Sequence, residues 1–219
     1  MTPRHKAIVS LVPKPLHKEE FRVDIGADHG WVARQIGAFA VERLPHRRAG
    51  QGRWVIADGL SAFTEVDLAV IAGMGARRIA KILDGPCRPT IVIVAPQDDP
   101  PWLRNWLALR GWRIDAEVVA PEAGGYAEIL RIVNGVETAS GLSLRLGPHL
   151  LNSDVQEQLE LRVLWAAHRA SVCERIARMA PVGSLAFLEA SQDAAAFRAF
   201  QNAAAPRACH EHIRSDREV

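Results

Sequence analysis

Short, continuous apolar runs alternate along this chain with stretches of helical periodicity, and that alternation leaves few folds open to it. The runs fall at residues 21–25, 38–42, 53–57, 68–72, 90–94, 113–119 and 127–133. Most lack the period-two pattern of a strand with one wet face, so they predict strands covered on both sides. Helical patterns lie between some of them. Residues 4–12 carry Ala7, Ile8, Leu11 and Val12 as one stripe, and Pro13 and Pro15 end it. Ala76–Leu83 forms a second, and residues 101–110 a third, in which Trp102, Trp106 and Leu109 share a face. Strands alternating with helices predict an α/β fold with an open, mostly parallel sheet, whose ligand crevice lies outside the strands' carboxyl ends. The last two runs are joined by PEAGGY, which has no room for a helix, so they predict an antiparallel pair closing the sheet.

The texture changes after residues 134–143. Ser153 opens a run to about Ala180 with apolar side chains at Val155, Leu159, Val163, Ala166, Ala170 and Ile176, which predicts a long helix. Residues 184–204 are alanine-rich and predict another, while 205–219 are polar and predict a frayed tail. The expected division is an α/β domain over 1–145 and a C-terminal helical appendage over 146–219. At 219 residues and 48% hydrophobic composition the chain can build one such core with a small appendage.

No apolar run reaches the ~18–20 residues that cross a bilayer, and the first residues do not read as a leader, so a soluble cytoplasmic protein without membrane contact is expected. Cys87, Cys173 and Cys209 are too dispersed for a disulfide framework or a zinc knuckle, which fits a reducing compartment. Cys209-His210-Glu211-His212 resembles a metal cluster in letters alone. It stands in a polar tail without a second ligand group, and no metal is expected. Residues 1–81 hold 13 Lys/Arg against 8 Asp/Glu, a bias that permits an anionic partner without requiring one.

The first strand delivers Asp24-Ile25-Gly26-Ala27-Asp28-His29-Gly30 to the first helix. Small residues there let a ligand approach the backbone. A dinucleotide enzyme would need GxGxxG; here Asp28 would face the pyrophosphate with like charge. An acid in the turn better suits a cofactor with a cationic amino group and a sulfonium, as S-adenosylmethionine has. Glu42 follows Asp24 by 18 residues at the second strand's end, where a carboxylate can accept from both ribose hydroxyls. Asp58 ends the third strand and could accept from an adenine amine. Each acid alone could equally cap a helix or end a strand.

RHKAIVSLVPK, then VDIGADHG, ADGL and VDLAVIAGMGA, together resemble the bacterial tRNA (adenine(22)-N1)-methyltransferase family, whose pattern is a leading helix ending in Ile/Val-Pro, a DIG-x-DH turn, a GDGL-like strand end and an IAGMGG strand end. PQDDPPWLRNWLALRGWRIDAEVV, AEILRIV and LGPHLL continue the likeness, which spans about residues 4–165. The resemblance implies a Rossmann-like methyltransferase domain with a C-terminal helical appendage, using S-adenosylmethionine to methylate N1 of an adenine in tRNA. It implies cofactor contacts from Asp24, Gly26, Asp28, Glu42, Asp58, Gly59 and Gly73, with His29 matching the same turn and Met74 and Gly75 completing the motif beside the methyl group. Glu42 follows His29 by 13 positions and Asp58 follows Glu42 by 16. Those short spacings imply a clipped first helix and put the second in question. AGMGA stands for AGMGG, Ala95-Pro96-Gln97 for a QPN-like strand end, and Tyr126-Ala127-Glu128 for a Tyr-Glu pair, departures that bear on the substrate.

Adenine N1 already carries a lone pair, so catalysis needs groups that orient the base: Asp28, His29 and Met74, with Gln97 and Asp98 as further candidates. His29 is also the residue type of a helix cap. Arg47, Arg48, Arg77 and Arg78 are candidate RNA phosphate contacts, with solvated arginines as the alternative. Trp31, Trp102 and Trp106 could stack on bases, although helical spacing favours the core for the last two. The helical appendage could touch tRNA or serve as a packing or dimer element, and either a monomer or a homodimer is open. Two other functions stand beside this reading: a non-catalytic S-adenosylmethionine-binding module, and a methyltransferase for a small molecule or protein.

Overall fold

A computed structural model describes residues 1–14, 19–44, 52–152 and 158–215, with side chains to residue 204. The element order is α1 (Pro3–Ser10), β1 (Arg22–Ile25), α2 (Trp31–Ile36), β2 (Phe39–Glu42), β3 (Trp54–Ile56), β4 (Leu68–Met74), α3 (Ala76–Leu83), β5 (Ile91–Pro96), α4 (Pro100–Leu109), β6 (Trp112–Glu122), β7 (Gly125–Asn134), α5 (Gly141–Leu146), α6 (Leu159–Met179) and α7 (Leu185–Ser215). The seven strands form one sheet in the order β3-β2-β1-β4-β5-β7-β6. The first five are mutually parallel, and β7 runs antiparallel to both neighbours, so the last two strands pair as the PEAGGY connection requires. Strand order reverses between β1 and β4, which opens a crevice at their carboxyl ends.

Both faces of this sheet are covered. On β4, Ala69 and Ile71 pack beneath α3 and α4 with Ile79, Leu83, Leu103 and Leu107, whereas Leu68 and Val70 pack beneath α1 and α2 with Ile8, Val32 and Ile36. Alternate side chains thus enter two dry layers, which is why the strand reads as a continuous apolar run. A third cluster, with Trp165, Ala166, Ala170 and Phe197, seats the α6–α7 hairpin on Val119, Leu146 and Leu150.

Several expectations change. Leu109 is 86% exposed, and α4 instead buries Leu103, Arg104 and Leu107. Arg104 takes the place of an apolar residue because two buried glutamates compensate it: Nε donates to Glu117 at 2.8 Å and Nη2 to Glu128 at 2.7 Å. Trp102 and Trp106 lie half-buried against the core. Helix α2 has only six residues, clipped between Gly30 and Gly37, both left-handed. Whether a helix follows β2 lies outside the described residues, as does the expected start of α6 at Ser153; positive φ at Gln158 makes Leu159 the first residue of α6. Helix α5 forms where no element is expected. Helix α7 runs on to Ser215, across the described part of the segment expected to fray. Among the described residues no helix is long and apolar enough to cross a membrane.

Candidate active site

The β1–β4 reversal holds a cleft of about 690 Å³. Its floor is the β1 tip. Asp24 is 4% exposed, and its Oδ2 accepts from the Ala33 amide in α2 at 3.0 Å. Burial pushes its carboxyl up to about 7; the Ala33 hydrogen bond opposes this and the Glu42 charge adds to it. Next comes Gly26, at φ +71°. A Cβ there would stand 2.3 Å from Met74 Cε, so the turn and the Met74 thioether meet only because Gly26 has no side chain. Asp28 is also left-handed, at φ +47°, and its amide donates to Glu42 Oε1 at 2.8 Å. That bond ties the glycine turn to the β2 tip.

The opposite wall is the β4 tip. The register against β5 shifts between Ala72 and Met74, with Gly73 at φ +72° as the extra residue, a bulge that turns the strand end toward the cleft. Gln97 lines the same wall, its amide donating to Met74 O at 2.9 Å. Asp98 acts structurally, since its Oδ1 accepts from the Ala76 amide at the start of α3, and a Cβ on Gly75 would lie 2.9 Å from Oδ2.

Of the residues singled out in the sequence, the fold brings Asp24, Gly26, Asp28, His29, Glu42, Gly73, Met74 and Arg78 to this one cleft. His29 is exposed and caps no helix, since Gly30 takes that position; its Nε2 lies 3.6 Å from Asp28 Oδ2. Trp31 lines the cleft mouth, 46% exposed. Asp58 is exposed beyond β3, outside the cleft lining, and Gly59 packs instead under Ile82, 3.1 Å from where its Cβ would be. Arg77 is exposed, 3.6 Å from Asp99, with its guanidinium 4.8 Å over the Trp102 ring. Arg47 and Arg48 lie outside the described residues, and so do the side chains of Cys209–His212.

Sequence reasoning missed a third wall. Thr2, Arg4, His5 and Ile8 of the α1 region close the cleft together with Glu122 at the end of β6. The RHK letters at the head of α1 were the available signal.

The model of the tRNA (adenine(22)-N(1))-methyltransferase family, TrmK, matches residues 46–179, more than half of the chain. The chain belongs to that family. The TrmK match contains the β4 tip, Gln97 and the Arg104–Glu117–Glu128 cluster, and begins after the glycine turn and Glu42. Solved structures extend the likeness over those earlier residues as fold. Streptococcus pneumoniae Sp1610, also solved in complex with S-adenosyl-L-methionine, is 24% identical with a TM-score of 0.74, over 92% of this chain and 99% of its own. M. capricolum TrmK, solved with S-adenosyl-homocysteine, is 16% identical with a TM-score of 0.69, over 92% and 98%. The B. subtilis m1A22 tRNA methyltransferase TrmK is 19% identical with a TM-score of 0.63, over 92% and 98%. No curated protein sequence matches.

Proposed function

We propose that the cleft between β1 and β4 is where this TrmK family member binds S-adenosylmethionine and meets N1 of a tRNA adenine. Family membership makes the chain an S-adenosylmethionine-dependent tRNA methyltransferase. The observation that carries the assignment of the site is the β1 tip, where buried Asp24 and side-chain-free Gly26 meet Met74 at the strand-order reversal.

The residues present fit the cofactor. Asp24 supplies an acceptor for its cationic or hydroxyl groups, and the second Glu42 oxygen, beyond the one bonded to Asp28, suits ribose hydroxyls. Gly26 and Gly73 remove side-chain bulk along the path between the two strand tips. Asp58, just past β3 on the far side of β2 and outside the cleft lining itself, is the acceptor assigned to the adenine amine. Gly59 is given no contact of its own, because it packs against α3.

Bound in the cleft, S-adenosylmethionine supplies an electrophilic methyl group on a sulfonium. The N1 lone pair needs no prior deprotonation, so the protein has chiefly to hold the base in line, an effect that can supply ~7–11 kcal/mol. Asp28 and His29, exposed and 3.6 Å apart, are assigned to accept from the adenine's exocyclic amine, and Met74 to wall the methyl path. Arg78 at the cleft mouth, with Arg77 one residue before it, is assigned to backbone phosphates, as are Arg47 and Arg48 of the undescribed segment. The helical appendage is taken to begin near residue 146.

The test is transfer of a labelled methyl group to bulk tRNA, followed by nucleoside analysis. Label in 1-methyladenosine from the wild type, and none from Asp24→Ala, supports the reading. Cofactor binding without transfer to RNA would favour the non-catalytic module.

A further inference from the structure

Among the described residues three arginines line the cleft, Arg4, Arg43 and Arg78, together with the histidines His5 and His29. Arg43 and Arg78 are exposed at its mouth. Arg4 is different, with its side chain only 16% exposed. Thr2 caps α1 and Pro3 begins it, which fixes the helix start from which Arg4 projects. Its Nη1 donates to Glu122 Oε1 at 2.9 Å, and its Nη2 donates to Ala95 O at 3.3 Å near the end of β5. On the way Nη2 passes 3.5 Å from where a Cβ on Gly73 would stand. The guanidinium therefore lies across the β4 and β5 tips, above the bulge that faces Asp24 and Gly26.

The group is incompletely used there. A guanidinium has five N–H donors, and the two contacts leave three. Its counter-charge, Glu122, is 38% exposed and shared with solvent. Next to it, burial and the Arg4 charge hold His5 below the ordinary histidine value, and His5 Nδ1 is buried without a partner. His5 is thus neutral near pH 7, and Arg4 is the permanent cation of the inner cleft. One wall of the site carries a buried acid and the other a half-buried guanidinium. A zwitterionic amino acid group needs that pair of charges.

We infer that Arg4 is a cofactor-positioning residue: its free N–H groups hold the α-carboxylate of the methionine portion of S-adenosylmethionine, opposite the acidic β1 tip. This rests on the cofactor reading above.

Calorimetric titration of S-adenosylmethionine and of its decarboxylated analogue tests it. The analogue keeps the nucleoside, sulfonium and ammonium and lacks only the carboxylate. The wild type should prefer S-adenosylmethionine by roughly 10- to 100-fold, the range of a charged hydrogen-bonded pair. Arg4→Ala should lose that preference while binding the analogue within about twofold of the wild type, and Arg4→Lys should keep part of it. Glu122→Gln removes the charge from the tie between α1 and β6 but leaves the guanidinium, and should keep the preference. Melting curves establish that each variant is folded. Equal weakening of both ligands by Arg4→Ala, or a Glu122→Gln variant that behaves like it, would make Arg4 a tether of α1 and overturn the inference. Unchanged cofactor binding with weakened tRNA binding would overturn it in favour of an RNA phosphate. If the folded wild type binds neither ligand, the cofactor reading itself fails first.

Discussion

Replacing Asp24 by asparagine should stabilise the cofactor-free protein, by an amount that grows with pH. Burial is the main cause that raises the Asp24 carboxyl from 3.8 to about 7, against the Ala33 hydrogen bond and with help from Glu42. In the unfolded chain the group ionises near its ordinary value, so between the two values the folded state holds more protons. The stability contributed by the protonated acid is complete below the unfolded value. It is lost as pH rises through the folded one, at ~1.4 kcal/mol per pH unit. Across the interval the loss is on the order of 4 kcal/mol. The asparagine side chain keeps an oxygen for the Ala33 amide and has no charge to bury. Urea denaturation of both proteins without cofactor should therefore show the variant ahead by roughly 1–2 kcal/mol at pH 5 and about 4 kcal/mol at pH 8. The same variant should bind S-adenosylmethionine more weakly, because the acid is kept for the ligand at a cost to the fold. A pH-independent difference, or a variant less stable at pH 8, would refute this account of the β1 tip.

Gly26→Ala should lower the melting temperature by several degrees and abolish measurable cofactor binding, since the new Cβ combines a φ of +71° with a 2.3 Å approach to Met74; the strain is ~1–3 kcal/mol. Arg104→Met leaves Glu117 and Glu128 without their shared cation and should destabilise the protein by about 3–5 kcal/mol in denaturant melts. A stable variant would show that the cluster is not a closed ionic network. Arg77→Ala with Arg78→Ala should weaken tRNA binding for all sequences alike and reduce the slope of log affinity against log salt by about 1–2, as measured by filter binding from low to physiological salt.

The parts of the fold legible in the sequence are those where one chain segment contains its own cause. Residues 68–71 read as a buried strand because both faces are dry, and Asp24 to Gly30 read as a ligand turn because acid and glycine chemistry stand together at a strand end. The α1 wall was not legible. Arg4 meets Glu122 across 118 positions and Ala95 across 91, and no local pattern encodes such pairings. Helix α4 misled for a related reason. Apolar periodicity set Leu109 on one face with Trp102 and Trp106, whereas the buried face is completed by Arg104, an ionic residue whose partners lie 13 and 24 residues on. Glu128 shows the same limit. Beside Tyr126 it reads as part of a substrate motif, yet it is 4% exposed and bonded to Arg104 and to Trp165 Nε1 at 3.1 Å. Burial pushes its carboxyl up, but Arg104 and Arg169 hold it below the usual range, so it serves as the anion that seats the helical hairpin on the sheet.

The most direct test of the central claim is to incubate the protein with S-adenosylmethionine and two tRNA transcripts, one with adenine and one with guanine at position 22, the position in the family's description, and to map 1-methyladenosine by mass spectrometry of nuclease fragments. The account predicts one 1-methyladenosine in the first transcript, at that adenine, and none in the second. Methylation at another nucleotide in both transcripts, or none in either by a protein that binds the cofactor, would contradict it.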